Sequence, residues 1–328
     1  MISYISSYLV MASIYGIMAL GLNFQWGFSG LMNFGIGASY MLGAYTAALL
    51  SAAPTPEHLG GFGVPFPVDL IGAALIPAFI AFLIGFPALR LKGGPFAIAT
   101  LAIHETIYLI VHNEMWLTNG VWGIRDITRP LYANIPQRYD TFFLVIAGGF
   151  LIFFYFFFKK LVRTPWGRVV RGVKGDEDMA LMSGKHAWSY KMQSFVLGSA
   201  VAGVAGGLYV HYTGFVSPTT FTPLMATFIV WLMVMVGGSG NNKGVLVGAF
   251  LVWGVWTGSE FLTDFFPPFM ETRAGFMRMF LMGIILLIVI LIRPQGIFGK
   301  ERILPRYLRS IRENYTPSTQ EGGKTNNR

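Results

Sequence analysis

Apolar residues run along this chain in long blocks, with polar residues confined to the breaks between them. About nine blocks stand out, at 2–24, 30–51, 69–89, 94–112, 140–160, 191–213, 222–237, 244–263 and 275–293. Several reach the roughly 20 residues that a helix needs to cross the hydrocarbon layer at about 1.5 Å per residue. The period-two alternation of a membrane barrel is absent. The pattern predicts an all-α, polytopic membrane bundle of about nine spanning or partly spanning helices.

Two blocks are irregular. Residues 28–43 contain Gly30, Gly35, Gly37 and Gly43 inside an apolar run. Residues 222–237 are short; they follow Pro218 and Pro223 and end in Gly237-Gly238-Ser239-Gly240. Glycine and proline free backbone groups that lipid cannot satisfy, so such segments face protein or a water-filled path. Paired interrupted spans in matching halves point to a transport site. A short internal echo supports the halves: Gly21-Leu22 with Trp26-Gly27-Phe28-Ser29, and Gly207-Leu208 with Tyr212, Gly214-Phe215 and Ser217. Charge places the first copy at the inner face and the second at the outer face, as an inverted repeat requires.

That charge assignment rests on lysine and arginine. Arg90 and Lys92 mark one cytoplasmic turn; Lys159, Lys160, Arg163, Arg168, Arg171, Lys174, Lys185 and Lys191 mark a long cytoplasmic loop; Arg293, Lys300, Arg302, Arg306, Arg309 and Arg312 mark a cytoplasmic tail. The N-terminus then lies outside and the C-terminus inside. Arg125, Arg129 and Arg138 run against the rule, partly offset by Glu114, Asp126 and Asp140. The chain divides into a transmembrane domain, 1–299, with its cytoplasmic loop at 161–190, and a basic amphipathic tail at 300–328 that becomes disordered in composition. With 54% hydrophobic and 12% charged residues, against roughly 25% charged in soluble domains, the net charge of +9 belongs to span ends, not to a nucleic-acid surface. There is no cysteine, so disulfides and cysteine metal sites are excluded. The start, Met-Ile-Ser-Tyr-Ile-Ser-Ser-Tyr, lacks the basic residues of a cleaved signal and reads as a retained span.

Small residues recur at helical spacing: Gly198, Ala202 and Gly206 on one stripe, Gly203 and Gly207 with Ser199 on the next. Such stripes let helices pack closely, within the bundle or against a second permease. His104 and Glu105 lie near the middle of a span, where a charged side chain costs about 2.5–3.5 kcal/mol. Glu105 is therefore expected to face the interior. Two readings of it stand: it lines a path and positions a solute ammonium group, or it makes a structural contact with a neighbouring helix. His211 reads as interfacial. No metal site is encoded: His104-Glu105-Thr106-Ile107-Tyr108 lacks the second histidine of a zinc helix. Gly237–Gly244 places Lys243 before Gly244 and is a tight turn, not a phosphate-binding loop. No catalytic constellation and no nucleotide site is encoded.

The cytoplasmic loop contains a helix signal. Asp176, Glu177 and Asp178 suit the positive end of a helix dipole, Met179, Ala180, Leu181 and Met182 continue it, and Gly184 suits a left-handed closing turn. Methionines adapt to a partner's groove. The segment reads as a docking helix for a cytosolic motor, or as a solvated helix at the headgroups.

Several stretches together resemble the permease subunits of branched-chain amino acid ABC importers, most nearly the LivM type. They are G-L-N-F-Q-W-G-F-S-G-L-M-N-F-G at 21–35, A-L-R-L-K-G-G-P-F-A-I-A-T-L at 88–101, T-P-W-G-R-V-V-R at 164–171, G-F-V-S-P-T-T-F-T-P at 214–223, V-G-G-S-G-N-N-K-G at 236–244 and L-I-R-P-Q-G-I-F-G at 291–299. The resemblance implies a second homologous permease subunit, two cytosolic ATPase subunits that bind ATP and Mg, and an extracytoplasmic solute-binding protein. It also implies import of leucine, isoleucine, valine or related solutes across the inner membrane, although similar proteins serve urea, amides and aromatic acids. The coupling pattern of such permeases, Glu-Ala-Ala, three residues, Gly, is met loosely by Asp178-Met179-Ala180 and Gly184.

The expected function is therefore a permease subunit of alternating-access type. Residues Asn33, Gly35, Gly37, Glu105, Ser217 and Thr219 are candidates for the translocation path. The rival is an autonomous ion-coupled transporter, which needs a relay of intramembrane ionisable groups; only His104 and Glu105 offer one.

Overall fold

A computed structural model of the chain describes residues 2–56, 59–132, 135–263, 274–293 and 295–299. The predicted tail at 300–328 lies outside the described residues. These contain α1 (Ile2–Leu22), running on into a π-helical turn (Asn23–Phe28), α2 (Ile36–Ser51), α3 (Phe66–Ala88), α4 (Gly94–Asn113), the single turn α5 (Met115–Thr118) and α6 (Tyr139–Arg163). Then follow α7 (Pro165–Gly175), α8 (Glu177–Met182) and α9 (Ala187–Thr213), which leads through a 3-10 turn (Pro218–Phe221) and a π turn (Leu224–Phe228) into α10 (Ile229–Gly237). The last two are α11 (Asn242–Thr263) and α12 (Ala274–Ile292).

Among the described residues, five helices are long and apolar enough to cross a membrane: α1 with its π extension, α3, α4, α6 and α9. They differ in what they face. The apolar stretches of α1 and α9 are 72% and 78% buried, whereas those of α3, α4 and α6 are 22–28% buried. The first two form the axis of the bundle, and the others present Phe79, Phe82 and Phe86, Ile98 and Leu109, and Val145, Ile152 and Phe156 outward. An apolar belt of that extent requires lipid or another membrane subunit around it.

The axis is antiparallel. Gly21 faces Gly198, Gln25 faces Phe195, and Ser7 bonds Tyr212. The two copies of the internal echo consequently sit at opposite ends of the molecule. Each axial helix is followed by a break and a shorter helix: α1, the π turn and α2; α9, the 3-10 and π turns and α10. The predicted block at 30–51 is helical only from Ile36, and the block at 222–237 only from Leu224.

Backbone approach holds the centre together. A Cβ on Gly206 would overlap the Tyr40 carbonyl oxygen, and Gly43 and Gly203 meet backbone to backbone. Gly198 lies against the Gln25 side chain, Gly207 against Leu70 and Ala73, and Ala202 is fully buried. The small-residue stripes of α9 thus face α1, α2 and α3 of this same chain.

At the end where α9 finishes, His211 is fully buried, contrary to its interfacial reading. Its Nε2 lies 2.9 Å from Asp69 Oδ2 of α3, and its Nδ1 lies 2.7 Å from the Thr128 carbonyl. Asp69 is also fully buried, so each group supplies the partner the other requires. Isolated bridges Ala52–Ile127 and Ile124–Val216 draw the intervening loops onto the same point.

Candidate functional site

The two breaks meet head to head. α2 runs from its break toward the His211 end, and α10 runs from its break toward the α7–α8 end. Their starts touch where Gly37 N–H donates to Thr227 Oγ1 at 3.2 Å. Half-helices that begin at mid-depth leave first-turn N–H groups without helical partners, and side chains take them up here. Phe34 N–H donates to Thr100 Oγ1 at 3.0 Å and Gly35 N–H to Asn33 Oδ1 at 2.8 Å. Asn33 in turn donates to Gln25 Oε1 at 2.9 Å, and Gln25 donates to the Phe195 carbonyl at 2.7 Å. Trp231 of α10 donates to the Asn33 carbonyl at 3.1 Å and stacks on Phe34, with ring centres 4.3 Å apart.

His104 joins the second break to α4 and abuts the first turn of α2 at Gly37. Its Nε2 lies 2.9 Å from the Phe221 carbonyl and its Nδ1 lies 3.1 Å from Thr227 Oγ1. A Cβ on Gly37 would strike the His104 ring, which accounts for glycine there. His104 is fully buried, whereas Glu105 lies on the outward surface of α4. The expectation that Glu105 faces the bundle interior is therefore corrected. Consecutive helical residues point about 100° apart, and α4 spends its inward position on the histidine.

Of the candidate path residues, Asn33, Gly35 and Gly37 are buried at this junction. Asn33, Gly35 and Thr100 border a cavity of about 20 Å³, the size of one water molecule. Ser217 and Thr219 lie on the second break, their hydroxyls 3.0 Å apart. Thr219 borders a separate hollow of about 310 Å³, walled by Tyr15, Tyr209, Trp253 and Trp256. Gln25, Thr100 and Thr227 join the junction although their sequence context gave no signal beyond a polar residue within an apolar run.

The α7–α8 end forms a second cluster. Thr164 caps α7, accepting from Gly167 N–H at 3.4 Å with Pro165 at the first helical position. Asp176 caps α8, accepting from Met179 N–H at 3.0 Å, and Gly184 follows at φ +72°. Glu177 holds α8 to the bundle: it lies 2.6 Å from Lys191 of α9 and 3.6 Å from Lys92. Although burial works to raise its pKa, the two ammonium groups hold the Glu177 carboxyl below the usual range. Asp178 is exposed, Ala180 is half-buried, and Met179, Leu181 and Met182 turn outward, Met182 to 89%. Lys174 of α7 donates to the carbonyls of Trp26 and Gly27 at 3.0 and 2.6 Å, tying this end to the first break. Gly27 packs against Gly240, whose N–H donates to Asn23 Oδ1 at 2.7 Å.

Two interrupted spans meeting start to start within an apolar bundle define a polytopic helical membrane protein of the transport type. The chain belongs to the family of branched-chain amino acid transport system permease components, whose model matches residues 4–290. It is 31% identical over 315 residues to the high-affinity branched-chain amino acid transport system permease protein LivM of Salmonella typhimurium, covering 89% of this chain and 69% of that one. It is 27% identical to the probable branched-chain amino acid transport permease protein LivM of Methanocaldococcus jannaschii, covering 92% and 95%. It is also 27% identical to the permease protein LivH of Salmonella typhimurium, covering 89% and 94%. No solved structure matches the chain.

Proposed function

We propose that this chain is the membrane permease subunit of an ABC importer that carries branched-chain amino acids inward by ATP-driven alternating access. The observation that carries the proposal is α8, a capped helix whose Met179, Leu181 and Met182 face away from the bundle that its Glu177 is fastened to. Apolar side chains on a short, polar-flanked helix suit the groove of a soluble partner. In this reading the partners are two cytosolic ATPase subunits, which bind the ATP and Mg. A second homologous permease completes the membrane part, since relatives of both the LivM and the LivH kind are similar to this chain. An extracytoplasmic binding protein delivers the solute.

In this reading the α7–α8 end is cytoplasmic, the N-terminus lies outside and the C-terminal tail inside. Closure of the ATPases displaces α7 and α8. Lys174 passes the displacement to Trp26 and Gly27, and so to the break from which α2 starts. The two half-helices share the junction at Gly37 and Thr227, so a shift of the first reaches the second. The solute passes along the exposed side of this junction, between this subunit and its partner permease.

Co-purification tests the proposal. The chain, expressed with its partner subunits, should retain the ATPases, and Met182→Asp should release them. Gradient-driven uptake by this chain alone in liposomes would overturn the proposal in favour of a secondary transporter. So would finding residues 176–184 on the outer side of sealed vesicles.

A further inference from the structure

We infer that the cytoplasmic end of the bundle holds the phosphodiester headgroup of an anionic lipid, in a basic pocket between α8, the first break and the turn that joins α3 to α4; its place in the inner leaflet rests on the orientation proposed above. The pocket encloses about 220 Å³, against about 20 Å³ for the water-sized cavity at the junction. Its wall is built from residues 29–32 of the first break, residues 91–93 of the turn, and Lys174, Glu177 and Lys191. Lys191 and Lys92 share the Glu177 carboxylate, at 2.6 and 3.6 Å. Two cations on one anion leave a positive charge over. Lys191 is the close partner and is 15% exposed; the Lys92 side chain is 71% exposed and can turn to a second anion without uncovering Glu177. Lys174 adds a third ammonium group, placed on the Trp26 and Gly27 carbonyls. Gly93 and Phe96 bring the start of α4 to the same wall, and the positive end of that helix adds to the lysine field.

Depth selects the occupant. Trp188 of α9 meets Phe86 edge-on with ring centres 5.6 Å apart, and the Arg90 guanidinium lies 5.4 Å from the centre of the same ring. A tryptophan and an arginine around the last turn of an apolar span mark the headgroup layer. Lys92 follows Arg90 by two residues and Lys191 follows Trp188 by three, so the ammonium groups of the pocket lie in that layer. Toward the bilayer centre, Phe82 and Phe86 of α3 and Ile98 of α4 face outward and give acyl chains an apolar wall. The surface proposed for the ATPases is a different one: α8 turns Met179, Leu181 and Met182 away from the bundle and Glu177 toward it. A basic pocket between spans on the cytoplasmic side suits an anionic headgroup. A zwitterionic headgroup carries its own cation and gains less from the lysines. A phosphodiester seated here touches α8, the first break and the α3–α4 turn together.

The test exploits the lack of cysteine. Leu91→Cys, on the exposed rim, carries a single fluorophore at the pocket mouth. The labelled full chain is placed in phosphatidylcholine liposomes with a minor fraction of either phosphatidylglycerol or phosphatidylcholine that bears a nitroxide near the head of its acyl chain. Phosphatidylglycerol should quench the fluorophore with an apparent affinity about fivefold or more above that of phosphatidylcholine, the worth of one lysine near an anionic headgroup. Lys92→Gln should remove most of that preference and Lys92→Arg should keep it. Lys159→Gln takes the same charge from the end of α6, outside the pocket, and should leave the preference unchanged. Equal quenching by the two lipids overturns the site. So does an equal loss in Lys92→Gln and Lys159→Gln, which would mark a general surface charge. Displacement of phosphatidylglycerol by excess inorganic phosphate at constant ionic strength overturns the lipid as occupant in favour of a soluble phosphate. Preferential quenching in a chain that captures no ATPase keeps the site and overturns the importer; ATPase capture with equal quenching does the reverse.

Discussion

The Lys174 ammonium lies 2.6 Å from the carbonyl oxygen of Gly27, a residue 147 positions away at the end of the first π turn. A cation there suits the negative end of a helix, where carbonyls lack intrahelical donors. The bond makes α7 an extension of the break rather than a separate appendage. Replacing Lys174 with Met keeps the aliphatic stem and removes the charge. In the reconstituted importer, solute carried per ATP hydrolysed should fall by about fivefold or more, the lower range of coupling energies, and Lys174→Arg should recover part of it. Unchanged coupling in Lys174→Met would show that force takes another route.

Glycine positions separate cleanly by what surrounds them. At Gly206 a methyl group would overlap the Tyr40 carbonyl, which is backbone and cannot swing aside. Gly206→Ala should destabilise the folded chain by about 1–3 kcal/mol or more. At Gly148 of α6 nothing lies within 4 Å of the added carbon, and alanine is the better helix former by roughly 1 kcal/mol. Thermal unfolding in detergent should show a large loss for the first substitution and none for the second.

Asp69 and His211 form a fully buried pair 2.9 Å apart, and removing one partner strands the other. Asp69→Asn should cost about 1–3 kcal/mol. It should also free the loop that His211 holds through the Thr128 carbonyl. Protease cleavage between 124 and 132 should rise before global unfolding begins. Cleavage that tracks global unfolding would show that the pair does not anchor the loop.

Glu177 ties α8 to α9 as a carboxylate. Its pKa is lowered in the folded chain, because Lys191 and Lys92 outweigh its burial. The stabilisation is therefore complete at neutral pH and is lost as pH falls through that lowered value, below the ordinary carboxylate range. The chain has no cysteine, so a single one introduced at Met182 reports on α8 without background. Its spin-label mobility should stay constant at neutral pH and rise on acidification, and Glu177→Gln should be mobile throughout.

Much of this architecture is legible in the sequence, because span length and hydrophobic blocks are local properties. So are the Asp176 cap and the Gly184 turn, which depend on a few neighbouring residues. Helix α7 was not read from its sequence, although Thr164-Pro165 is a cap followed by a first-turn proline; its glycines and three basic residues mask the apolar stripe of Val170 and Val173. The inward turn of His104 and the outward turn of Glu105 were not legible either. One span pattern accommodates both rotations, and the choice is made by Phe221 and Thr227 from far along the chain. The partner of His211 was hidden for the same reason: Asp69 lies 142 residues earlier, as a lone acid at the start of an apolar block.

Glycines 43, 203 and 206 have a mechanical corollary. Where main chains touch with no side chain between them, there is no soft layer to deform, and two helices so joined cannot slide by fractions of a turn. Label pairs spanning α2 and α9 should therefore hold a fixed separation throughout the nucleotide cycle. Movement would be taken up at the rim, where the outward faces of α4 and α6 carry flexible apolar side chains such as Ile98, Leu109, Ile152 and Phe156.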